Sequence, residues 1–277
     1  MVISVIAPSI RTCTCITWKQ PVSEGPLILK RAISPLFAEL EPVILAIESS
    51  CDETSAAVLR GRRVLSNIIA TQKVHEKYGG VVPELASRAH QSNIVPVVQQ
   101  ALMQAEVDKA DLNAIAVTMG PGLMGSLHVG TSFAKSLTLA LNIPLIAVHH
   151  MQAHVLALFI EDAQERPVPE FPFLCLTVSG GHTQLVHVES ESAMHIVGQT
   201  IDDAAGEAFD KAAKVLGFDY PGGPLIDKWA RDANTGRFAF PHPRVADFDF
   251  SFSGLKTSLL YLLRDNSDIQ SELQSFD

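Results

Sequence analysis

Two stretches of the sequence share one design, in which an apolar run, a short polar turn and a second apolar run follow each other. The first, VILAIESSCDETSAAVL, begins at Val43, and the second, FLCLTVSGGHTQLVHV, spans residues 173–188. This design is typical of a β-hairpin. Because one such unit opens each of two successive halves, the sequence predicts an internally duplicated α/β protein.

The segment between the two units predicts a helix, a strand and a second helix. Apolar residues recur at helical spacing from Val82 to Gln104, and Ile115 to Thr118 form a short apolar run typical of a buried strand. A glycine-rich stretch, MGPGLMGSLHVG, then leads into the second helix. Such glycines either expose N–H groups to a phosphate or permit close helix packing through Gly122, Gly125 and Gly130. The sequence leaves both interpretations open.

Residues 1–42 differ from the rest of the chain, because five prolines interrupt short apolar pieces that have no sustained period. We expect this segment to lie outside the fold. It is either a targeting peptide or translated upstream sequence. Basic residues favour the first, whereas Glu24, Glu39 and Glu41 do not fit the acid-poor pattern of a transit peptide.

Charge and cysteine content exclude some classes of protein. The net charge of −9 rules out a basic coat, so contact with nucleic acid needs a local patch such as Arg60, Arg62 and Arg63. Four irregularly spaced cysteines do not form a disulfide scaffold, which favours a reducing cytoplasm. The longest apolar stretch, from Ser136 to Val148, is too short to cross a bilayer. We expect a soluble, cytoplasmic protein with no membrane contact.

The motif HHMQAH, residues 149–154, is the sharpest local signal for chemistry. His150 and His154 are four residues apart, so on a helix they project from one face and can bind one metal ion. The alternative is a pair of ordinary surface or capping histidines. A zinc protease needs a glutamate directly after the first histidine, and Met151 stands there. The pair therefore suits a metal that polarises a substrate oxygen better than one that activates water.

A second group of candidate residues follows the second apolar unit. The turn Ser179-Gly180-Gly181 allows close approach of backbone N–H groups to a phosphate or carboxylate. Downstream, DDAAGEAFDKAAKVLG predicts a helix with Asp210 near its middle, and YPGGPLID follows with Asp227. An acid beside a glycine turn can bind ribose hydroxyls, but from these residues alone helix capping is the preferred explanation.

Eight motifs together resemble one known family in both order and spacing. They are IESSCDETSAAV, YGGVVPELASRAH, GPGLMGSLHVG, HHMQAH, VSGGHTQL, IDDAAGEAFDKAAKVLG, YPGGPLID and FSFSGLKT. They are similar to the bacterial tRNA N6-threonylcarbamoyladenosine transferases, from about Val43 to about Asn266. The resemblance implies an actin-like (ASKHA, ribonuclease H-like) α/β fold of two related domains around a nucleotide cleft. These would span residues 43–155 and 156–277.

The resemblance also implies roles for individual residues. His150 and His154 would bind one divalent metal ion, Fe²⁺ or Zn²⁺. Asp52 and Glu53 would face the same cleft. The residues that would contact threonylcarbamoyl-adenylate are Thr177, Val178, Ser179, Gly180, Gly181, Asp210, Gly223 and Asp227. The implied reaction is attack by the N6 amine of the adenosine next to the tRNA anticodon on the carbamoyl carbon, with release of AMP. No residue stands out as a general base, so positioning of the weakly nucleophilic amine matters more.

The sequence departs from the family pattern at its end. It stops at Asp277, before the family's later glycine-rich loop with its asparagine and the Thr-Asp-Asn-Gly segment with an aspartate metal ligand. We therefore expect an incomplete second domain, and a 277-residue chain that on its own is poorly soluble and inactive.

The resemblance implies several partners: tRNA, threonylcarbamoyl-adenylate from a separate synthase, a second actin-like subunit and a small ATPase. Rival interpretations are a non-catalytic actin-like partner subunit, an actin-like ATPase or kinase, and, least supported by the acidic charge, an RNA-binding module. The histidine pair argues against a scaffold, and ATP hydrolysis without tRNA would identify an ATPase.

Overall fold

The chain folds around two β-sheets and six α-helices within the residues that the structure describes. This computed structural model describes residues 13–17 (backbone only), 41–161, 167–231, 233, 237–266 and 269 of the 277-residue chain. The strands are β1 (Cys13–Thr17), β2 (Val43–Glu48), β3 (Glu53–Arg60), β4 (Arg63–Thr71), β5 (Ala114–Gly120), β6 (Leu145–His149), β7 (Phe173–Val178), β8 (Thr183–Ser190) and β9 (Ala193–Gln199). The α-helices are α1 (Pro83–Gln104), α2 (Met124–Leu141), α3 (His150–Leu156), α4 (Ala205–Val215), α5 (Gly223–Ala230) and α6 (Ser253–Asp265). Short 3-10 helices occur at Lys73–Tyr78, Lys109–Asp111 and Ala157–Phe159.

The first sheet is mixed and has the strand order β4-β3-β2-β5-β6. Strands β2, β3 and β4 are antiparallel neighbours, whereas β5 and β6 run parallel to β2. Alternate residues of a strand point to opposite faces. Leu45 and Ile47 of β2 accordingly lie in the core beneath α1 and α2, while Ala46 between them packs near Ala153 of α3. The small residues on this second face leave room for α3.

The second sheet has the order β1-β7-β8-β9, and all its neighbouring strands are antiparallel. Its core contains Phe173 and Val186 together with Val155 and Leu156 from α3. Helix α3 therefore contributes buried side chains to the cores of both sheets. This position places the histidines of α3 where the two halves of the chain meet.

Helices α4, α5 and α6 follow the second sheet, and α4 packs against both of the others. Asp202 ties α6 to the segment that precedes α4. Its carboxylate accepts hydrogen bonds from the N–H groups of Phe252 (2.8 Å) and Ser253 (3.3 Å) and from the hydroxyls of Ser251 and Ser253. A negative charge at the N-terminus of α6 also interacts favourably with the dipole of this helix.

The structure confirms the α/β class, both hairpins and the helices expected from Val82 to Gln104, after the glycine-rich stretch, after LIAV and around Asp210. The actin-like duplicated arrangement and its division at residue 155 stay predictions. Within residues 1–42, Cys13–Thr17 pairs with β7 as an edge strand, and residues 1–12 and 18–40 lie outside the described residues. The expectation that this segment as a whole lies outside the fold stays a prediction.

Candidate functional site

The junction between β6 and α3 brings the two predicted metal ligands together. The strand ends at His149, and the imidazole of this residue accepts a hydrogen bond from the N–H of Gln152 (3.4 Å), so that it caps α3. One turn of helix then separates His150 from His154. Their Nε2 atoms lie 3.1 Å apart, with the rings at 85° to each other. The structure thus confirms that these two side chains share one face, and it places His149 at the N-cap of α3.

The separation of these nitrogens suits either a hydrogen bond or two ligands on one metal ion. Nitrogen ligands lie about 2.0–2.1 Å from zinc, so two of them are about 2.9 Å apart at a right angle and about 3.3 Å apart at the tetrahedral angle. The observed 3.1 Å falls between these values. Among the described residues, no group of three or more His, Cys, Asp or Glu side chains could hold a metal ion. The pair therefore fits two positions of a coordination shell.

A buried glutamate behind His150 is a site residue that the sequence analysis did not identify. Glu48 ends β2 and is 8% exposed. Its Oε2 lies 3.2 Å from Nδ1 of His150 and accepts a hydrogen bond from the hydroxyl of Thr118 (2.6 Å), while Oε1 accepts one from the N–H of Ser50. The hydroxyl of Ser50 lies 3.3 Å from the same Nδ1 atom. The only signal in the sequence is an acid at the end of an apolar strand.

The surroundings of Glu48 and His154 set their protonation states. Burial alone would raise the pKa of Glu48, but the hydrogen bond and charge of His150, with the donors Ser50 and Thr118, lower that pKa to about 2. Burial and the charge of His150 lower the pKa of His154 to about 4. At neutral pH the glutamate is therefore ionised and the His154 ring is neutral, which is the form of imidazole that binds metals.

The turn of the first hairpin is held by buried polar contacts. The hydroxyl of Ser49 donates to the carbonyl of Ser126 (2.9 Å), and Nε2 of His90 lies 3.0 Å from the carbonyl of Cys51. A carbonyl only accepts, so Nε2 of His90 carries the proton, and its Nδ1 accepts from the hydroxyl of Thr54 (2.8 Å). His90 is completely buried. Helix α1 therefore holds this turn in place through His90.

The glycine-rich stretch packs tightly against the same turn. A Cβ atom at Gly122 would lie 2.6 Å from the carbonyl oxygen of Ser50, and one at Gly130 would collide with the hydroxyl of Ser49. At Gly125 the side chain of Ser87 would be 3.2 Å away. These contacts favour close packing over phosphate binding as the reason for the three glycines.

The turn of the second hairpin lies at the N-terminus of α4. Its hydroxyl group, on Ser179, accepts hydrogen bonds from the N–H groups of Gly181 (3.3 Å) and His182 (3.0 Å). The carbonyl of Ser179 accepts one from Gly206 (3.1 Å) in the first turn of α4. Gly180 and Gly181 are exposed, and a Cβ atom on either would meet nothing within 4 Å. The turn is thus internally fixed, with open space around its glycines.

The neighbours of this turn on β7 differ in exposure. Val178 is partly exposed, whereas Thr177 is buried. The hydroxyl oxygen of Thr177 has no hydrogen-bond partner among the described residues. Val178 and the following Ser179 are therefore partly accessible to solvent, whereas the side chain of Thr177 is not.

Two of the predicted acids have different surroundings. Oδ1 of Asp210 accepts hydrogen bonds from the N–H groups of Gly222 (2.9 Å) and Gly223 (3.2 Å), so this acid caps α5. Asp227 forms an exposed ion pair with Arg231 (2.9 Å) within α5. One oxygen of Asp210 therefore caps α5, whereas Asp227 is paired within that helix.

Charged groups in the first half of the chain shift the pKa values of two residues in the second half. The pKa of His182, on the second turn, is lowered by burial and by the charges of His150 and His149. The pKa of Tyr220 is raised by burial and by the charges of Asp210, Asp52 and Cys51. Such effects act over short distances in a partly buried site. His182 of the second turn is therefore electrostatically coupled to His149 and His150, and Tyr220 to both Asp210 and Asp52.

The two acids beside the first turn, Asp52 and Glu53, interact with each other. Glu53 is half-buried and accepts a hydrogen bond from the hydroxyl of Thr71 (3.4 Å). Burial and the adjacent charge of Asp52 raise its pKa. The basic patch expected at Arg60, Arg62 and Arg63 lies at the other end of β3 and β4, where Arg62 forms an ion pair with Glu191 (3.8 Å). In the part of the chain that the structure describes, no helix is long and apolar enough to span a membrane.

Comparison with known proteins gives consistent matches. The sequence model of the family TsaD, tRNA N6-adenosine threonylcarbamoyltransferase, matches residues 63–276. A curated relative of that description from Christiangramia forsetii is 65% identical over 221 residues, which cover 80% of this chain and 65% of the relative. One from Riemerella anatipestifer is 58% identical over 81% of this chain and 65% of its own length. The chain thus spans less than two thirds of either relative. Among solved structures, YeaZ from Pseudomonas aeruginosa aligns with a TM-score of 0.34 and 22% identity, covering 56% of this chain and 67% of that one.

Proposed function

The chain belongs to the tRNA N6-adenosine threonylcarbamoyltransferase family, and we propose that it carries the metal-binding and adenylate-binding part of such an enzyme. The enzyme transfers the threonylcarbamoyl group from threonylcarbamoyl-adenylate to N6 of the adenosine next to the anticodon in tRNA and releases AMP. The observation that carries the proposal is the pair of Nε2 atoms of His150 and His154, which lie 3.1 Å apart on one face of α3.

His150 and His154 would hold one divalent metal ion, Fe²⁺ or Zn²⁺. The fit is supported by the spacing of the two nitrogens, by the neutral His154 ring and by the carboxylate behind His150. A bound divalent ion supplies a Lewis acid that polarises oxygens gaining charge during acyl transfer. Burial and the charge of His150 lower the pKa of His182, which follows Ser179 on the second turn, so this turn is electrostatically coupled to the pair.

The second half of the chain would bind the adenylate. The exposed glycines at 180 and 181 leave room for a ligand beside the N-terminus of α4, where the helix dipole favours the negative charge of a phosphate. Thr177 and Val178 lead into this turn and would support it. Asp210 fixes the backbone of Gly223, and with Asp227 these residues would contact the ribose side of the adenylate.

These residues would act by orientation. The N6 amine of adenine is a weak nucleophile, so holding it in line with the carbamoyl carbon contributes more than removing its proton beforehand. N–H and side-chain donors placed around the leaving phosphate stabilise its charge as the bond to carbon breaks. The products are then modified adenosine in tRNA and AMP.

The remaining features of the proposal concern fold, partners and location. We infer an actin-like fold of two related domains, with the cleft between the hairpin turns. Binding of tRNA would be shared with a second actin-like subunit and a small ATPase, because the net charge of −9 gives this chain little attraction for RNA. The cytoplasm is the expected location.

A hybrid protein tests the proposal. In it, this chain from Val43 onward replaces the matching part of the Christiangramia forsetii relative, to which it is 65% identical. With tRNA, the adenylate and the partner subunits, the hybrid should form threonylcarbamoyladenosine, measured by mass spectrometry of tRNA nucleosides. Hybrids with His150→Ala or His154→Ala should form almost none. If the folded hybrid forms none where the unaltered relative does, the proposed function is wrong.

The same hybrid separates the proposal from its main rivals. A non-catalytic partner subunit has no use for the paired histidines, so alanine at either position would leave its activity in the complex unchanged. An actin-like ATPase or kinase would release phosphate from ATP without tRNA. The geometry of the histidine pair favours the transferase over both.

A further inference from the structure

Glu48 is buried against a proposed metal ligand but is not itself among the predicted ligands. We propose that Glu48 is a positioning residue, which fixes the tautomer and the ring orientation of His150 so that its Nε2 lone pair faces the metal position shared with His154. This inference rests on the proposed function, since it assigns a role to a residue next to the metal pair.

The direction of the hydrogen bonds defines the tautomer. Oε2 of Glu48 lies 3.2 Å from Nδ1 of His150, and an ionised carboxylate can only accept. Nδ1 of His150 must therefore carry the proton whenever the ring is in the neutral form that binds a metal. Its other nitrogen, Nε2, is then unprotonated, and this is the atom that lies 3.1 Å from Nε2 of His154. One hydrogen bond thus prepares the ring for binding a metal through the correct atom.

Two further hydrogen bonds hold the carboxylate of Glu48 in place. It ends β2 in the first sheet, and the hydroxyl of Thr118, on the adjacent strand β5, donates to Oε2 (2.6 Å). The N–H of Ser50 donates to Oε1. With only 8% of its surface exposed, Glu48 has little freedom to turn away. The ring of His150 is therefore fixed to the sheet and not merely to its own short helix.

Such a carboxylate–histidine arrangement has a known consequence for metal sites. A carboxylate that accepts the second N–H of a ligating histidine orients the ring and raises its basicity. Loss of such a partner typically lowers metal affinity by about 10–100-fold. Because α3 has only seven residues, it offers little rigidity of its own, and the contribution of Glu48 should lie in this range.

The first experiment compares Glu48→Gln with a matched control in the full chain. Glu189→Gln makes the same change at another Glu–His pair, in which Oε1 of Glu189 lies 3.6 Å from Nδ1 of His187 on β8. The affinities of the variants for Zn²⁺ and for Co²⁺ are measured by competition with a chromophoric chelator. We expect E48Q to bind about 10–100-fold more weakly than the unsubstituted chain and E189Q to bind equally well.

The second experiment reads the tautomer directly and needs no substitution at Glu48. The chain is labelled with ¹⁵N at histidine, and the signals of His150 are assigned by their loss in His150→Ala. The expected result is a protonated Nδ1 and an unprotonated Nε2. This measurement decides the inference even if E48Q does not fold, and a proton on Nε2 of His150 would overturn it.

The variants also separate this inference from the proposed function. If His150→Ala and His154→Ala lose metal affinity but folded E48Q keeps the affinity of the unsubstituted chain, the positioning role is wrong and the metal pair stands. If neither alanine variant changes the affinity, the metal pair itself is wrong, and the role of Glu48 falls with it.

Discussion

The two hairpin turns arise from the same sequence design but are held in different ways. The first turn, between β2 and β3, is fixed by groups from elsewhere in the chain, including His90 of α1 and the backbone near Gly122. The second turn, between β7 and β8, is fixed mainly by its own Ser179, and its glycines face open space. A turn held from outside can position catalytic groups, whereas one that holds itself can leave its surface to a ligand.

His90 and His150 both contact the first turn, but through different ring nitrogens. His90 donates through Nε2 to the carbonyl of Cys51, while His150 faces the carboxylate of Glu48 with Nδ1. The two rings therefore hold opposite tautomers, although their partners Cys51 and Glu48 lie close together in sequence. His90 stabilises structure because both its nitrogens are used, and His150 keeps Nε2 for its partner His154.

Replacing His90, through which α1 holds the first turn, should have the largest effect on stability. His90→Ala opens a cavity and leaves the carbonyl of Cys51 and the hydroxyl of Thr54 without their partner, so it should lower the free energy of unfolding by about 3 kcal/mol. Urea denaturation followed by circular dichroism measures this value. The control is His128→Ala, at an exposed position of α2, where a change within about 0.5 kcal/mol is expected. Equal stability of the two variants would contradict the bracing of the first turn.

A glycine substitution in each half compares the two turns directly. Gly122→Ala would press a Cβ atom against the carbonyl oxygen of Ser50 and should cost about 1–3 kcal/mol. Gly180→Ala adds the same atom in open space and should change the free energy of unfolding by less than about 0.5 kcal/mol. Thermal and urea denaturation of both variants give the comparison. A loss at Gly180 as large as that at Gly122 would show that the second turn is not open.

The carboxylate of Asp202 should give a smaller, pH-dependent effect. Desolvation would raise the pKa of Asp202, but the hydrogen bonds from Ser251, Phe252 and Ser253 together lower that pKa below its ordinary value of 3.8. A lowered pKa of an acid means that its stabilisation is present above 3.8 and is lost as the pH falls below that value. Asp202→Asn should therefore cost about 1 kcal/mol at pH 6 and less at pH 3.

Urea denaturation at the two pH values measures this difference. Asp265→Asn is the control, because its carboxylate, paired with the neighbouring Arg264, lies at the other end of α6. A cost of Asp202→Asn that is the same at pH 3 as at pH 6 would contradict the charged cap.

The sequence predicted those features that depend on neighbours along the chain. Alternating and helical apolar patterns gave both hairpins and the main helices, and the spacing of four residues placed His150 and His154 on one face. Glu48 and His90 were missed because their partners lie far away in sequence: Glu48 and His150 are 102 residues apart, and His90 and Cys51 are 39 apart. A single buried polar residue forms no pattern that periodicity can reveal.

The glycine-rich stretch illustrates the same limit. Its sequence permitted either phosphate binding or close packing, and only the contact with Ser50 in the first turn favours the second. The acids show it too, since Asp210 caps α5 across a separation of 12 residues while Asp227 pairs with Arg231 in its own helix. Two acids on either side of one glycine turn thus have different partners.

The metal content of three histidine variants tests the central claim most directly. The full chain and its variants His149→Ala, His150→Ala and His154→Ala are loaded with Zn²⁺ or Fe²⁺ and desalted, and the retained metal is measured by mass spectrometry. We predict that alanine at 150 or 154 removes most of the retained metal, because each contributes Nε2 to one position. Alanine at 149 should have little effect, since that ring caps α3. Equal metal content in all three folded variants would contradict the account.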